Sequence, residues 1–287
     1  MNAIFELKNG VSMPAPGYGT WQLEPGRAAM NAVVKAIHCG YRCIDTAYSY
    51  GNDFYVGKAV KAAEVPRDQL FIANKVWQTS RTGDAVVESC KKTLKLMKLE
   101  YLDLYFVHWP VPVTQEHWKE INREVWSGME RLYREGYVRA IGVSNYLPHH
   151  ILALEEYGAE VEPMVDQIEF HPGCWSRQTL EFCKSNGIAV QGWSPLGGAA
   201  VLRHDLLRGL ADKYHKSTAQ ICLRWALQHG VAPIPRSNDP VRMAENLDLF
   251  DFEIERSDMD AINAMARLGC SPYVPDVCHP DPISNSL

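Results

Sequence analysis

Leu70-Phe71-Ile72-Ala73-Asn74-Lys75 and Tyr101-Leu102-Asp103-Leu104-Tyr105-Phe106-Val107-His108 are two short, mostly apolar runs, each closed by a side chain able to carry a proton. Between them Val87, Cys90, Leu94 and Met97 recur at the spacing of one helix face. Strand, helix and strand in so short a stretch form a crossover unit, and a crossover joins parallel strands. The alternation continues both ways. Upstream lies a run at residues 41–45, preceded by a weaker one at 15–19; downstream lie runs at 138–144, 165–170, 188–193 and 231–235. Helix faces intervene at Met30, Val33, Val34 and Ile37, at Trp118, Ile121, Val125, Met129 and Leu132, and at Met243, Leu247 and Phe250. Gly40, Gly136 and Gly187 stand just before runs, where left-handed helix caps are expected. Eight runs in strict alternation predict one α/β domain over residues 1–287, a (β/α)8 barrel of the TIM type. Two appendages are expected. Asn9-Gly10 between Phe5-Glu6-Leu7-Lys8 and Val11-Ser12-Met13 predicts an N-terminal hairpin with a type I′ turn. Met259, Ile262, Met265 and Leu268 predict an extra C-terminal helix.

Composition narrows the function classes. The chain has 287 residues, 46% of them hydrophobic, and 29 basic against 34 acidic side chains give a net charge of -5. At this length roughly 75% of the unfolded surface can be buried, so neither metal nor disulfide is needed to build a core. The acidic balance gives no reason to expect a nucleic-acid or membrane partner. Residues 1–10 carry no secretory pattern, and no apolar run approaches the ~20 residues that span a bilayer. Eight cysteines show no CxxC pair and no zinc spacing. Most of them sit in helical or strand patterns and read as small buried hydrophobes in a reduced, cytoplasmic compartment, and the chain reads as a monomer.

In such a barrel, chemistry collects where the strands end and the βα loops meet. The runs end in Asp45, in Lys75, in His108, in Ser144-Asn145, in Ser194 and in Arg236-Ser237, and the sixth carries Gln167, Glu169 and His171. Any one of these alone is more often an ordinary loop residue. Asp, Lys and His on three consecutive strand ends would crowd one rim and perturb one another's protonation. Three chemistries fit such a rim: a Schiff base on Lys75, a metal held for hydrolysis, or a lysine beside a tyrosine that protonates a carbonyl oxygen. Gly17-Tyr18-Gly19-Thr20-Trp21 offers no metal ligand on the first run, and Asp45 would keep Lys75 charged, so the third fits best.

Gly40-Tyr41-Arg42-Cys43-Ile44-Asp45-Thr46-Ala47-Tyr48-Ser49-Tyr50-Gly51-Asn52 resembles the first signature of the aldo-keto reductase family. The runs ending in Lys75 and His108, with Ile141-Gly142-Val143-Ser144-Asn145 and Gln167-Ile168-Glu169-Phe170-His171-Pro172, resemble that family's later segments in order, over nearly the whole chain. The residues alone do not choose between Tyr48 and Tyr50. The resemblance implies Tyr50 as proton donor, with Asp45, Lys75 and His108, in the reduction of a small carbonyl compound by NADPH. It also implies that Ser144, Asn145 and Gln167 hold the nicotinamide carboxamide. Trp193 would stack on its ring, while Ser194 and Leu196 follow the pyrophosphate and Gly19, Thr20 and Asp45 complete the contacts. Arg236, Ser237, Arg242, Glu245 and Asn246 resemble the site for the adenosine 2′-phosphate, and two guanidinium groups suit that oxyanion. Arg236 stands where the family often has Lys, Trp193 where many members have Tyr, and Asp53 where Glu is usual. Trp21, Trp77 and Trp109, with His108, are expected to wall the substrate pocket, and a Pro-rich tail over residues 269–287 to add a third wall. Two other functions stay open at this point: a cofactor-bound regulatory subunit, and a Schiff-base lyase using Lys75.

Overall fold

The computed structural model describes residues 3–277. Eight parallel strands form one sheet in sequence order: β3 (Gly17–Gly19), β4 (Cys43–Asp45), β5 (Phe71–Val76), β6 (Leu104–Val107), β7 (Ile141–Ser144), β8 (Val165–Glu169), β9 (Ala189–Trp193) and β10 (Val231–Pro233). Helices α1 (Arg27–Cys39), α2 (Asp53–Ala62), α3 (Gly83–Met97), α4 (Trp118–Arg134), α5 (Pro148–Glu156) and α6 (Arg177–Ser185) each follow one strand from β3 to β8. Two helices, α7 (Asp205–Tyr214) and α8 (Thr218–Gln228), connect β9 to β10, and α9 (Pro240–Glu245) and α10 (Arg256–Asn263) follow it. This is the expected (β/α)8 barrel. It closes at β3 and β10, where the Gly19 N–H donates to the Pro235 carbonyl at 3.1 Å. The backbones approach closely because β3 has glycine there: a Cβ on Gly19 would stand 3.1 Å from the Ile234 carbonyl oxygen.

The hairpin is present, with β1 (Ala3–Glu6) paired to β2 (Ser12–Ala15). Its turn is not type I′. The Gly10 N–H donates to the Leu7 carbonyl and the Leu7 N–H to that of Val11, and within Asn9-Gly10 only Gly10 has positive φ, at 80°. That is a three-residue loop with its left-handed residue last. Met13 and Ala15 of β2 are fully buried, and Gln191 on β9 reaches the Met13 sulfur. Gly40, Gly136 and Gly187 all have positive φ at helix ends, as expected.

Two helix faces are shorter than their periodicity suggests. Helix α9 stops at Glu245, so Leu247 and Phe250 lie beyond it; the chain turns there to put Asp248 and Asp251 on Lys216, at 2.9 and 2.7 Å. Helix α10 stops at Asn263, whose side-chain oxygen accepts from the Trp225 indole at 2.9 Å, leaving Met265 and Leu268 outside. Trp225 is itself fully buried and stacks on Phe170 at 4.7 Å.

The cysteines depart from expectation. Cys43, Cys90, Cys183 and Cys222 are buried thiols and Cys39 is half-buried, but Cys174 and Cys270 form a disulfide across 96 residues. Their spacing hides the pairing, which arises because the segment after α10 folds back over the loop after β8. Cys278 and the last prolines of the tail lie outside the described residues.

Candidate active site

Side chains alternate along a strand, so Asp45 at the end of β4 and Lys75 one residue from the end of β5 both reach the interior at the same rim. Lys75 is fully buried and Asp45 nearly so; the Lys75 ammonium donates to Asp45 Oδ1 at 2.5 Å and to the Thr46 carbonyl at 3.0 Å. Tyr50 belongs to a short 3-10 turn, Tyr48–Tyr50, just beyond β4, and its ring centroid is 5.3 Å from Lys75 Nζ. His108 follows β6, with its ring edge-on to Tyr50 at 5.7 Å and to Trp77 at 5.0 Å. Asp45, Tyr50, Lys75 and His108 therefore do converge. Tyr48, the other tyrosine of the turn, is exposed.

Around them runs a network of hydrogen bonds. Gln167 on β8 donates to Asp45 Oδ2 at 2.8 Å and to Gln191 on β9 at 2.6 Å. Ser144 donates to the Gln167 carbonyl at 2.8 Å, and the Asn145 amide donates to Ser144 Oγ and to the His108 carbonyl. The Trp193 indole closes the chain by donating to Asn145 Oδ1 at 2.8 Å. Asn145 and Ser194 both adopt positive φ, 63° and 50°, a costly conformation for residues other than glycine that concentrates at functional loops. Gln191 and Ser49, the latter 3.5 Å from His108 Nδ1, belong to this shell and were not foreseen. A glutamine inside an apolar strand run was the available signal for Gln191.

Burial dominates the electrostatics. It pulls Lys75 below its ordinary value, against Asp45, which pushes it back up. It holds His108 well below 6.5, helped by the charge on Lys75, so the imidazole is neutral near pH 7. The phenol of Tyr50 is raised well above 10, first by burial and then by Asp45 and Asp53. Desolvating the phenolate outweighs a single buried ammonium that already shares its charge with Asp45.

The remaining residues separate by burial. Thr20, after β3, is fully buried, and its hydroxyl has no hydrogen-bond partner. Trp193, the last residue of β9, and Leu196, on the loop after it, are half-buried. Arg236 and Arg242 are exposed, Glu245 and Ser237 half-buried, and the Ser237 carbonyl accepts from Tyr18. Asn246 does not share an open face with Arg242: it caps α9, is buried, and places its side chain at the Tyr41 hydroxyl. Trp77 and Trp109 are buried, and Trp21 is half exposed at the rim. Tyr273 in the tail meets Trp109 edge-on at 6.0 Å, which brings the tail to this side of the barrel.

A parallel eight-stranded barrel with Asp, Lys, Tyr and His gathered on one rim defines a class of carbonyl-handling oxidoreductases. The chain belongs to the aldo/keto reductase family, whose profile matches residues 17–267. It is 42% identical over 270 residues to the glyoxal reductase of Bacillus subtilis (strain 168), covering 93% of this chain and 95% of that one. It is 40% identical over 277 residues to the methylglyoxal reductase DkgA of Escherichia coli (strain K12), covering 94% and 96%. Among solved structures, the Bombyx mori aldo-keto reductase (AKR2E4), in complex with NADP, superposes with a TM-score of 0.83 at 32% identity, covering 91% and 92%.

Proposed function

We propose that this chain reduces small aldehydes and α-oxo aldehydes, glyoxal and methylglyoxal among them, to alcohols with NADPH, Tyr50 giving the proton. The observation that carries this reading is the buried Lys75–Asp45 pair 5.3 Å from the Tyr50 ring, with a neutral His108 alongside. The phenol is protonated near neutrality, and the Lys75 ammonium beside it supplies the positive charge that favours release of that proton to a carbonyl oxygen. After the proton leaves, the cost of a buried phenolate falls on Lys75, whose ammonium Asp45 and the Thr46 carbonyl hold in place. His108, neutral, donates one N–H to orient the carbonyl oxygen.

The rim also suits the cofactor. The unpartnered Thr20 hydroxyl is ready for a sugar hydroxyl, Ser144, Asn145 and Gln167 offer amide-recognising groups, and Trp193 presents a half-exposed aromatic face. Arg236 and Arg242, both exposed, fit a 2′-phosphate. When bound, NADPH supplies the hydride. Trp77 and Trp109 wall an apolar pocket, with Tyr273 behind Trp109.

All of these groups come from one chain, and the reading treats it as a cytoplasmic monomer; among the described residues no helix is long and apolar enough to cross a membrane. The test is loss of absorbance at the reduced-nicotinamide band with glyoxal, methylglyoxal and aldoses, using NADPH and NADH in parallel. Tyr50→Phe lowers kcat by the ~100- to 10,000-fold typical of a lost acid catalyst, while NADPH affinity stays. Full turnover in that variant removes Tyr50 from the role.

A further inference from the structure

Away from the tetrad, the loop after β8 meets the tail after α10. Cys174 and Cys270 are bonded there, and Glu169 at the end of β8 accepts the Ser271 N–H through both oxygens, at 2.9 and 3.1 Å. His171, fully buried, places Nδ1 2.9 Å from the Pro172 carbonyl. A carbonyl only accepts, so Nδ1 carries a proton, and Nε2 is the ring atom left to bind a metal. That nitrogen is buried without a hydrogen-bond partner, and Glu169 Oε1 faces it at 3.6 Å. A carboxylate oxygen and a ring nitrogen so placed can share a cation.

The geometry suits a metal. Glu169, His171 and Cys174 each offer a ligand atom, all within 4.8 Å of one another, and Cys270 is joined to the last. A tetrahedral ion with bonds of about 2.0 Å to N or O and 2.3 Å to S sets its ligand atoms roughly 3.3 to 3.8 Å apart. For an oxygen and a nitrogen the lower end applies, about 3.3 Å, and the 3.6 Å between Glu169 and His171 is within a small adjustment of it. The Nδ1–H bond to a backbone carbonyl is the usual support of a metal-bound histidine. A second group, His149, His150 and Asp276, fails the same test. Nδ1 of His150 accepts the Leu147 N–H, so its proton sits on Nε2 and leaves no lone pair there.

We propose that Glu169, His171, Cys174 and Cys270 form a binding site for a thiophilic divalent cation, Zn2+ being the type, which opens only when the disulfide is reduced. An external dithiol passes two electrons and two protons to the disulfide, becoming a disulfide itself; the S–S bond breaks and two S–H bonds form. Metal binding then releases both thiol protons to solvent. The tail is thereby tied to the barrel in two states, by the sulfur bridge or by the ion, and loses both of these ties only when reduced and metal-free. Both cysteines are half-buried, within reach of a reductant. Because the tail carries Tyr273 against Trp109, the tie fixes one wall of the pocket.

The experiment titrates the full chain with Co2+, anaerobically, after reduction by a phosphine and separately in the disulfide form, with Zn2+ uptake measured by dialysis. The expected result is about one ion per reduced chain, with thiolate-to-cobalt charge-transfer absorption, and none per oxidised chain. Cys174→Ser, Cys270→Ser and His171→Gln each bind at least ~10-fold more weakly, while Cys39→Ser is unchanged. Without any variant, Zn2+ slows alkylation of Cys174 and Cys270 in the reduced native chain, read by peptide mass. No uptake by the reduced chain, equal uptake by the oxidised one, or alkylation indifferent to Zn2+ overturns the proposal.

Discussion

Asp53, the first residue of α2, is a buried carboxyl group set beside Thr46, Asn74 and Lys75. Burial raises its pKa from 3.8 to about 7, against the opposing pull of Asn74 and Lys75. In the unfolded chain the group titrates near its ordinary value, so between pH 4 and 7 the folded protein binds more protons than the unfolded one. Stability then falls as pH rises through that window: it is full below about pH 4, and the loss is complete above about pH 7. Three pH decades at about 1.4 kcal/mol each make the loss about 4 kcal/mol, a large share of a typical domain's stability. Asp53→Asn keeps the shape of the protonated acid and does not titrate. Urea unfolding of both proteins at several values from pH 4 to 8 reports the difference, in which titrating groups not coupled to Asp53 cancel. The two should agree near pH 4, and the variant should lead by about 4 kcal/mol at pH 8. A gap independent of pH refutes the argument. So does a wild type that gains on the variant as pH rises, since that would mean Lys75 stabilises the anion more than burial penalises it.

Trp225→Ala removes a fully buried ring stacked on Phe170 and bonded to Asn263, and should cost about 3 to 5 kcal/mol in chemical denaturation. Gly57→Ala gains up to ~1 kcal/mol of helix propensity, yet its methyl group would overlap the Met97 backbone carbonyl; the net effect should be a lower Tm. Arg236→Ala with Arg242→Ala should weaken NADPH binding by about 3 kcal/mol, roughly a hundredfold, and leave NADH unaffected, as fluorescence titration of both nucleotides will show.

The barrel was legible because eight apolar runs and their helix faces obey two distinct periods, and because each rim residue ends a run. Asp45, Lys75 and His108 could be placed together on that ground alone. Burial was less legible: the sign of the Tyr50 shift depends on how much solvent the folded rim excludes, and no spacing encodes that. The Cys174–Cys270 pair joins segments 96 residues apart, so no local motif announces it. Asn9-Gly10 correctly marked a reversal, but turn type depends on strand register, which places Glu6 opposite Ser12 and lengthens the loop. Helices α9 and α10 end early because Asp248, Asp251 and Asn263 are claimed by partners on other elements, and apolar periodicity does not register such claims.

The join between β3 and β10 rests on the Gly19–Pro235 backbone hydrogen bond, the close approach of Gly17 and Gly19 to Ile234, and the bond from Tyr18 to the Ser237 carbonyl just beyond. It is the stave of the cylinder with the least to hold it, and amide exchange should find it first. Thr20 stands on one side of that join and Arg236 on the other. A ligand gripped from both sides works as a hoop: part of its binding energy goes into keeping the cylinder shut, so heat resistance should rise with ligand concentration even where no catalytic group is touched.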